Sequence, residues 1–292
     1  MGYNIGFSLS DARSKVVKYL NNPTGNLGGY IEGEYLGDIY GYETVGIAQS
    51  KEEMERHLDQ LDQNYYNTHG VWPAEPRKGQ SGLGDDWNAG DIMYADINGD
   101  GKVDGGKGTL ADPGDQRIIG NSTPRYNFGL VLDASYKGFD VSIFFQGVGK
   151  RDYAPIVGTN GAVFWGAVNN IWQSMAMEEH FDYFRPEGHP MGANLNGYYP
   201  RPDFTSNKNH QVQTRYLQDA SYIRLKNFQL GYTLPASMIR KIGITNCRIF
   251  VSGENLWTGT KLSKLFDPET ISGGNTVSYT HLRAHETLRH LV

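Results

Sequence analysis

Phe139-Asp140-Val141-Ser142-Ile143-Phe144-Phe145-Gln146 is the stretch on which the fold class turns. In an extended chain successive side chains leave on opposite sides. Phe139, Val141, Ile143 and Phe145 therefore share one side, and Asp140, Ser142, Phe144 and Gln146 share the other. Just upstream, Tyr126, Phe128, Leu130, Leu132 and Ala134 alternate with Asn127, Gly129, Val131 and Asp133. Only Tyr136-Lys137-Gly138 separates the two runs, which is too short for anything but a tight turn, so they predict an antiparallel hairpin of long strands.

The pattern recurs further out. Ser221 to Leu234 starts with Ile223 and Leu225 on one face and continues with Phe228, Leu230 and Tyr232 on the other. The flip at Lys226-Asn227 predicts a β-bulge or the point where the strand leaves its apolar band. Pro235 ends that strand, Pro235 to Gly243 has helical leanings, and Cys247, Ile249 and Val251 then alternate with Arg248, Phe250 and Ser252 as a hairpin partner. Near the start, Tyr3, Ile5, Phe7 and Leu9 alternate with Asn4, Gly6, Ser8 and Ser10. Two long segments, roughly 12 to 123 and 149 to 220, lie between these strands, far above the usual connection of about 4 to 6 residues. Short turns at one end and long loops at the other are the asymmetry of an outer-membrane barrel. A soluble sandwich spreads its loops more evenly.

Composition agrees. The 292 residues hold 37 Gly, where about 7 % is usual, and 19 Tyr. Such a chain favours strands and turns over a helical bundle. A net charge of -5 with no Lys/Arg cluster excludes nucleic acid as a partner. Cys247, the one cysteine, excludes an intramolecular disulfide framework. No run approaches the roughly 18 apolar residues of a membrane-spanning helix, and no basic stretch followed by an apolar one opens the chain. A barrel escapes that test, because its strands average to near neutral.

Asp96-Ile97-Asn98-Gly99-Asp100-Gly101-Lys102-Val103-Asp104 matches the first nine positions of a calcium loop. Asp96, Asn98, Asp100, the Lys102 carbonyl and Asp104 would supply oxygens, and Gly101 the sharp turn. Position twelve is Lys107 rather than Glu, so the closing ligand would be Asp115 or Asp112. No helix is expected before the motif as in a sensor EF-hand, and a structural Ca2+ ordering a long loop is the expectation; a solvated turn without an ion is the alternative. Gly101 to Gly108 also brushes against a phosphate loop, but Gly108 stands at the hydroxyl position and no strand-helix frame surrounds it.

The segment 149 to 220 gathers Trp165, Trp172, Tyr198 and Tyr199 with Phe181, Tyr183 and Phe184. Their faces suit sugars or peptide side chains, or else they pack the loop on itself or on a partner. No catalytic constellation is present: there is no nucleophile elbow, Cys247 falls in a strand far from any histidine, and Glu178-Glu179 has no supporting pattern. Val277 to Val292 changes character and carries His281, His285 and His290; Glu286 would point away from the face that His281 and His285 share, so a metal site there is not expected.

Several segments, in order, resemble the C-terminal part of a SusC/RagA-type TonB-linked outer-membrane transporter. They are Gly37 to Ile47, Gly90-Asp91-Ile92, Ile118 to Tyr126, Phe139 to Gly147, Ala220 to Asn227 with Leu230-Gly231-Tyr232, and Val251 to Leu256. The resemblance covers nearly all of residues 1 to 276. It implies an all-β fold, a portion of a transmembrane antiparallel barrel of about 22 strands with long extracellular loops. It also implies a location in the outer membrane, a SusD-type surface lipoprotein as partner, energy from the TonB complex, and import of oligosaccharides or peptides without enzymatic chemistry. About 220 strand residues would be needed for such a barrel, so the chain reads as a fragment lacking the plug and the TonB-contacting part. Residues 277 to 292 replace the expected last strand and read as a non-native tail. The rivals are a secreted, calcium-stabilised carbohydrate-binding β-domain and a surface glycosidase, which would need two carboxylates about 5 to 9.5 Å apart in a cleft.

Overall fold

A computed structural model describes residues 1–155, 158–168, 177–203, 207–240, 243 and 245–271. The non-native tail expected at 277–292 and the candidate Trp172 lie outside the described residues. In chain order the strands are β1 Gly2–Ser10, β2 Asp38–Gly41, β3 Thr44–Ile47, β4 Ile92–Tyr94, β5 Arg117–Asn121, β6 Arg125–Tyr136, β7 Phe139–Lys150, β8 Asp152–Tyr153, β9 Gln218–Asp219, β10 Tyr222–Thr233 and β11 Arg248–Thr260. The helices are α1 Lys51–His69, α2 Gly158–Trp165 and α3 Ala236–Ile239, with short 3-10 turns besides. No helix among the described residues is long and apolar enough to cross a membrane, a test that does not touch strands.

The chain forms two compact units. Met1–Arg13, Thr123–Asp152 and Asp219–Glu269 make the first, a five-stranded antiparallel sheet in the order β1-β6-β7-β10-β11. All five alternating stretches are strands of this one sheet. Register lines up their apolar residues in rows. Tyr3, Ala134, Val141, Leu230 and Val251 stand abreast; Ile5, Leu132, Ile143 and Phe228 form the next row, completed by Gly253; Phe7, Leu130, Phe145, Leu225 and Trp257 form the third. The opposite face is polar where Asn4, Asp133, Ser142, Gln229 and Ser252 align. There Asp133 accepts from Asn4 Nδ2 at 3.0 Å and from Ser142 Oγ at 2.6 Å.

The bulge at Lys226 holds those rows together. Leu225 and Phe228 are three apart and would otherwise face opposite ways, as their spacing suggests. A register shift between Leu225 and Asn227 against both neighbours returns Ile223 and Leu225 to the face of Phe228, Leu230 and Tyr232. The two faces read from alternation are thus one face. β11 accommodates the shift with Asn255 in the left-handed region at φ 52°. Cys247 lies one residue ahead of β11, its carbonyl accepting from Leu234 N at 2.9 Å.

At one end of the sheet β6 and β7 are joined by Lys137 and Gly138 alone, with φ 47° and 89°, the two left-handed residues of a hairpin turn whose twist suits paired strands. Tyr136, Phe139 and Tyr232 are in register beside it, and the rings of Phe139 and Tyr232 sit 4.5 Å apart. Ser10, Asn127, Val148, Tyr222 and Thr260 make a row at the far end, so both long insertions leave the sheet there.

Those insertions are not loops in the ordinary sense. Ser14–Ser122 and Tyr153–Gln218 build the second compact unit, with α1, α2 and the pairs β2-β5 and β3-β4. Alternation could not reveal strands of three to five residues, and the 19-residue helix α1 was likewise not expected.

Gly138→Val should destabilise the sheet by at least about 1–2 kcal/mol, since the left-handed backbone penalises a β-branched residue and a Cβ there would stand 2.8 Å from the Thr233 carbonyl oxygen. Chemical unfolding of the detergent-refolded chain measures it.

Candidate functional site

The second unit carries the residues singled out in sequence, and α1 is its organiser. Ser50 caps the helix, its Oγ accepting from Glu53 N at 3.2 Å while Glu53 Oε2 accepts from Gln49 N at 2.6 Å. Gly70, left-handed at φ 72°, closes it with a bond to the Tyr66 carbonyl. Met54, Leu58, Leu61 and Asp62 are its buried face. Ser50-x-x-Glu53, the helical spacing of those residues and the terminal Gly are the signals that could have found it.

The acidic loop folds against the second half of this helix. Asn64 Nδ2 donates to Asp96 Oδ2 at 3.0 Å and Thr68 Oγ1 to the Gly99 carbonyl at 2.7 Å. Gly101, at φ 83°, passes so near Tyr65 that a Cβ would come within 2.4 Å of it. No helix runs directly into the loop as in a sensor EF-hand; α1 ends 27 residues upstream in sequence and returns as a neighbour in space.

Within the loop each carboxylate holds backbone amides. Asp96 accepts from Gly99 N at 2.7 Å and Gly101 N at 2.9 Å, Asp100 from Lys102 N at 2.8 Å, and Asp104 from Gly106 N at 2.7 Å. Asn98 Oδ1 accepts from Asp100 N at 2.9 Å. Asp115, fully buried, ties the two ends of the loop, accepting from Ile97 N at 2.7 Å and Asp104 N at 2.9 Å. Burial drives the Asp115 carboxyl up to about 6, and the nearby Asp96 charge adds to the effect while the amide bonds oppose it. Among the described residues no group of three His, Cys, Asp or Glu side chains is placed to hold a metal.

Of the aromatic candidates, Trp165, Tyr198 and Tyr199 pack against other rings. Trp165 and Tyr199 are 1 % and 2 % exposed, and with Phe164 and Tyr216 they form a closed cluster. The Phe164–Trp165 and Trp165–Tyr216 centroids are 5.1 and 4.8 Å apart, edge to face. Tyr198 sits half-buried against Tyr199 at 5.0 Å, its hydroxyl accepting from Gln218 Nε2 at 2.7 Å. Each ring spends its faces on another ring, so the arrangement favours the self-packing reading of this segment.

Sequence reading missed a buried polar centre. Asp91 is fully buried and takes a two-point contact from Arg201, Nε at 2.7 Å and Nη2 at 2.9 Å, together with Asn209 Nδ2 at 2.9 Å and Asn88 N at 2.8 Å. Lys208 Nζ, 1 % exposed, stands 3.2 Å from the same carboxylate and donates to the Asp85 and Asp86 carbonyls. Gly90, at φ 84°, has no room for a side chain beside Phe184. The tripeptide Gly90-Asp91-Ile92 thus has a structural reason, which only long-range contacts disclose.

No protein-family model matches the chain. Among curated proteins, TonB-dependent receptor P3 of Formosa agariphila is 30 % identical over 233 residues, 78 % of this chain. TonB-dependent receptor P26 of the same organism is 28 % identical over 200 residues, 68 % of this chain. The solved RagAB peptide transporter has the same fold over 93 % of this chain, with a TM-score of 0.54 at 21 % identity. This chain belongs to the family of TonB-dependent receptors. It spans 18 % of the length of each of those two receptors and 25 % of the RagAB chain. The five-stranded sheet is part of the antiparallel barrel fold that such receptors share.

His210 supplies a pH test of the second unit. It is buried against Trp165 at 4.3 Å, and neither ring nitrogen has a hydrogen-bond partner among the described residues. Burial holds its pKa down to about 4, against the opposing charge of Asp203. Between about pH 6.5 and 4 the unfolded chain binds a proton that the folded chain refuses, so stability is complete above that window and falls as pH drops through it. His210→Leu should remove on the order of 2 kcal/mol of this pH dependence, measured by urea unfolding at pH 4.5 and 7.

Proposed function

We propose that this chain forms wall strands and extracellular segments of an outer-membrane importer of oligosaccharides or peptides, which works with a SusD-type surface lipoprotein and draws energy from TonB. One observation carries the reading: five long strands in register present an unbroken apolar face on one side and a polar ladder on the other. A soluble β-domain would cover such a face. Here β1 leaves Tyr3, Ile5, Phe7 and Leu9 exposed, the least of them at 59 %. From Phe139 to Phe145 the band rises about 20 Å at 3.4 Å per residue, close to the roughly 25 Å apolar belt of such barrels. Tyr136, Phe139 and Tyr232 lie where an interfacial aromatic girdle would lie. The similarity to named TonB-dependent receptors, and the fold shared with a peptide transporter, support the same reading. Short turns on the periplasmic side would put both insertions outside. Transport of this kind moves a solute and makes or breaks no bond in it.

Phe139, Val141, Ile143 and Phe145 should tolerate exchange for other apolar residues, whereas Ile143→Arg should cost about 2–4 kcal/mol at mid-bilayer. Folding equilibria in lipid vesicles test this, and a neutral Arg would defeat the lipid-face assignment.

We also propose that the acidic loop takes a calcium ion. Asp96, Asp100, Asp104, Asp112 and Asp115 form no salt bridge among the described residues, and the Asp115 carboxyl, pushed up to about 6 chiefly by burial, also feels the Asp96 charge. Asn98 Oδ1 and the Lys102 carbonyl would complete the oxygen set. Calcium should raise the thermal midpoint of the wild-type chain, and Asp96→Asn should abolish the rise; a midpoint unmoved by millimolar calcium in the wild type leaves the loop ordered by its amides alone.

A further inference from the structure

The charged groups around the bulge are more than a stabilising cluster. Arg224, 6 % exposed, lies on the polar face in register with Gln146 and Thr258. Its Nη2 meets both oxygens of Asp267 at 2.7 and 2.8 Å, its Nη1 meets Glu269 Oε2 at 2.6 Å, and its Nε donates to Thr258 Oγ1 at 2.8 Å. Lys226 Nζ reaches the two oxygens of Glu269 at 3.2 and 3.1 Å. Two cations face two carboxylates, so the burial leaves no net charge uncompensated.

The acids belong to the segment that follows β11. Leu262 N donates to Thr260 Oγ1 at 3.1 Å, a turn closes through Phe266 N and the Ser263 carbonyl at 3.1 Å, and Glu269 N bonds Asp267 Oδ1 at 2.9 Å. Leu262, Leu265 and Pro268 are buried, while Lys261 and Lys264 are exposed. Instead of running on from the strand, the chain doubles back over the polar side of β10. Lys226 is the extra residue of the bulge, and in a regular strand the residue following Arg224 on the same face would also displace Asn227 from it. The bulge keeps Arg224, Lys226 and Asn227 on one side while restoring the apolar rows on the other.

We infer that residues 261–269 are a strap latched to the polar face of β10 by Arg224 and Lys226, and that the bulge is retained to build this latch. The strap opens locally, with the five-stranded sheet intact beneath it. This deepens the importer reading, since the polar face would line the solute's path and an opened strap would change what occupies it, but the latch itself is measured without any transport.

Trypsin cuts after Lys261 and Lys264 only where the strap is free to enter the protease. In the full chain refolded in detergent, Lys226→Gln should speed both cuts severalfold and Arg224→Met by roughly tenfold or more, as loss of a locally protecting contact does. Mass spectrometry of the fragments reads the cuts, and hydrogen exchange reads the β10–β11 amides, whose protection should stay at the wild-type level. Unchanged cutting in both variants would overturn the latch. Equal loss of strand protection in Lys226→Gln would overturn the local opening, leaving a cluster that supports the sheet as a whole. Failure of the importer reading would show instead in Ile143→Arg with the latch result untouched.

Discussion

Pairing of backbone amides and carbonyls in a medium that offers no water is the constraint from which the rest of this structure follows. Strands can meet it only side by side, and each additional strand must match its neighbour's register over the full apolar belt. β6, β7 and β10 are 12 residues long each, and only the bulge at Lys226 interrupts their register. Once register is set, alternation sorts every side chain to one solvent or the other. The apolar rows from Ile5 to Phe228 and the polar row from Asn4 to Ser252 are two consequences of the same ladder.

A ladder this demanding leaves little freedom for charge, yet the structure places charge within it. Lys226 breaks the register once, and the break is where Arg224 finds its acids. The second unit repeats the principle: Asp91 and Asp115 are buried, and both are surrounded by donors, guanidinium and ammonium groups in one case and loop amides in the other. A buried carboxylate that gathers amides orders the chain around it, which is how segments as long as 14–122 become a compact body rather than loops.

Periodicity made the strands readable because a two-faced wall has to alternate; Tyr3 to Ser10 and Phe139 to Gln146 show it without ambiguity. At Ile223 to Tyr232 it predicted a bulge or an exit from the apolar band, and the register shift shows the bulge: the parity of the apolar residues changes and their face does not. Nothing local distinguishes a strand that turns its apolar side from one that bulges, since the choice is made by β7 and β11 on either side. The acidic loop was legible as a loop, because the spacing of Asp, Asn and Gly encodes turns directly; that Asp115 binds its amides was not. Its neighbour α1 is encoded locally in Ser50, Glu53 and Gly70, but its contact with the loop is not.

The amino-acid sequence by itself determined the two-sided strands, the tight turn at Lys137-Gly138 and the kinship with TonB-dependent receptors, since each depends on residues close together in the chain or on their order. Tertiary structure alone decided that Trp165 and Tyr199 face other rings, that Asp91 collects Arg201 and Lys208 from more than 100 residues away, and that Asp267 and Glu269 fold back on Arg224. An exposed ring and a buried one, or a free carboxylate and a paired one, are the same letters; only the approach of distant segments removes the water that tells them apart.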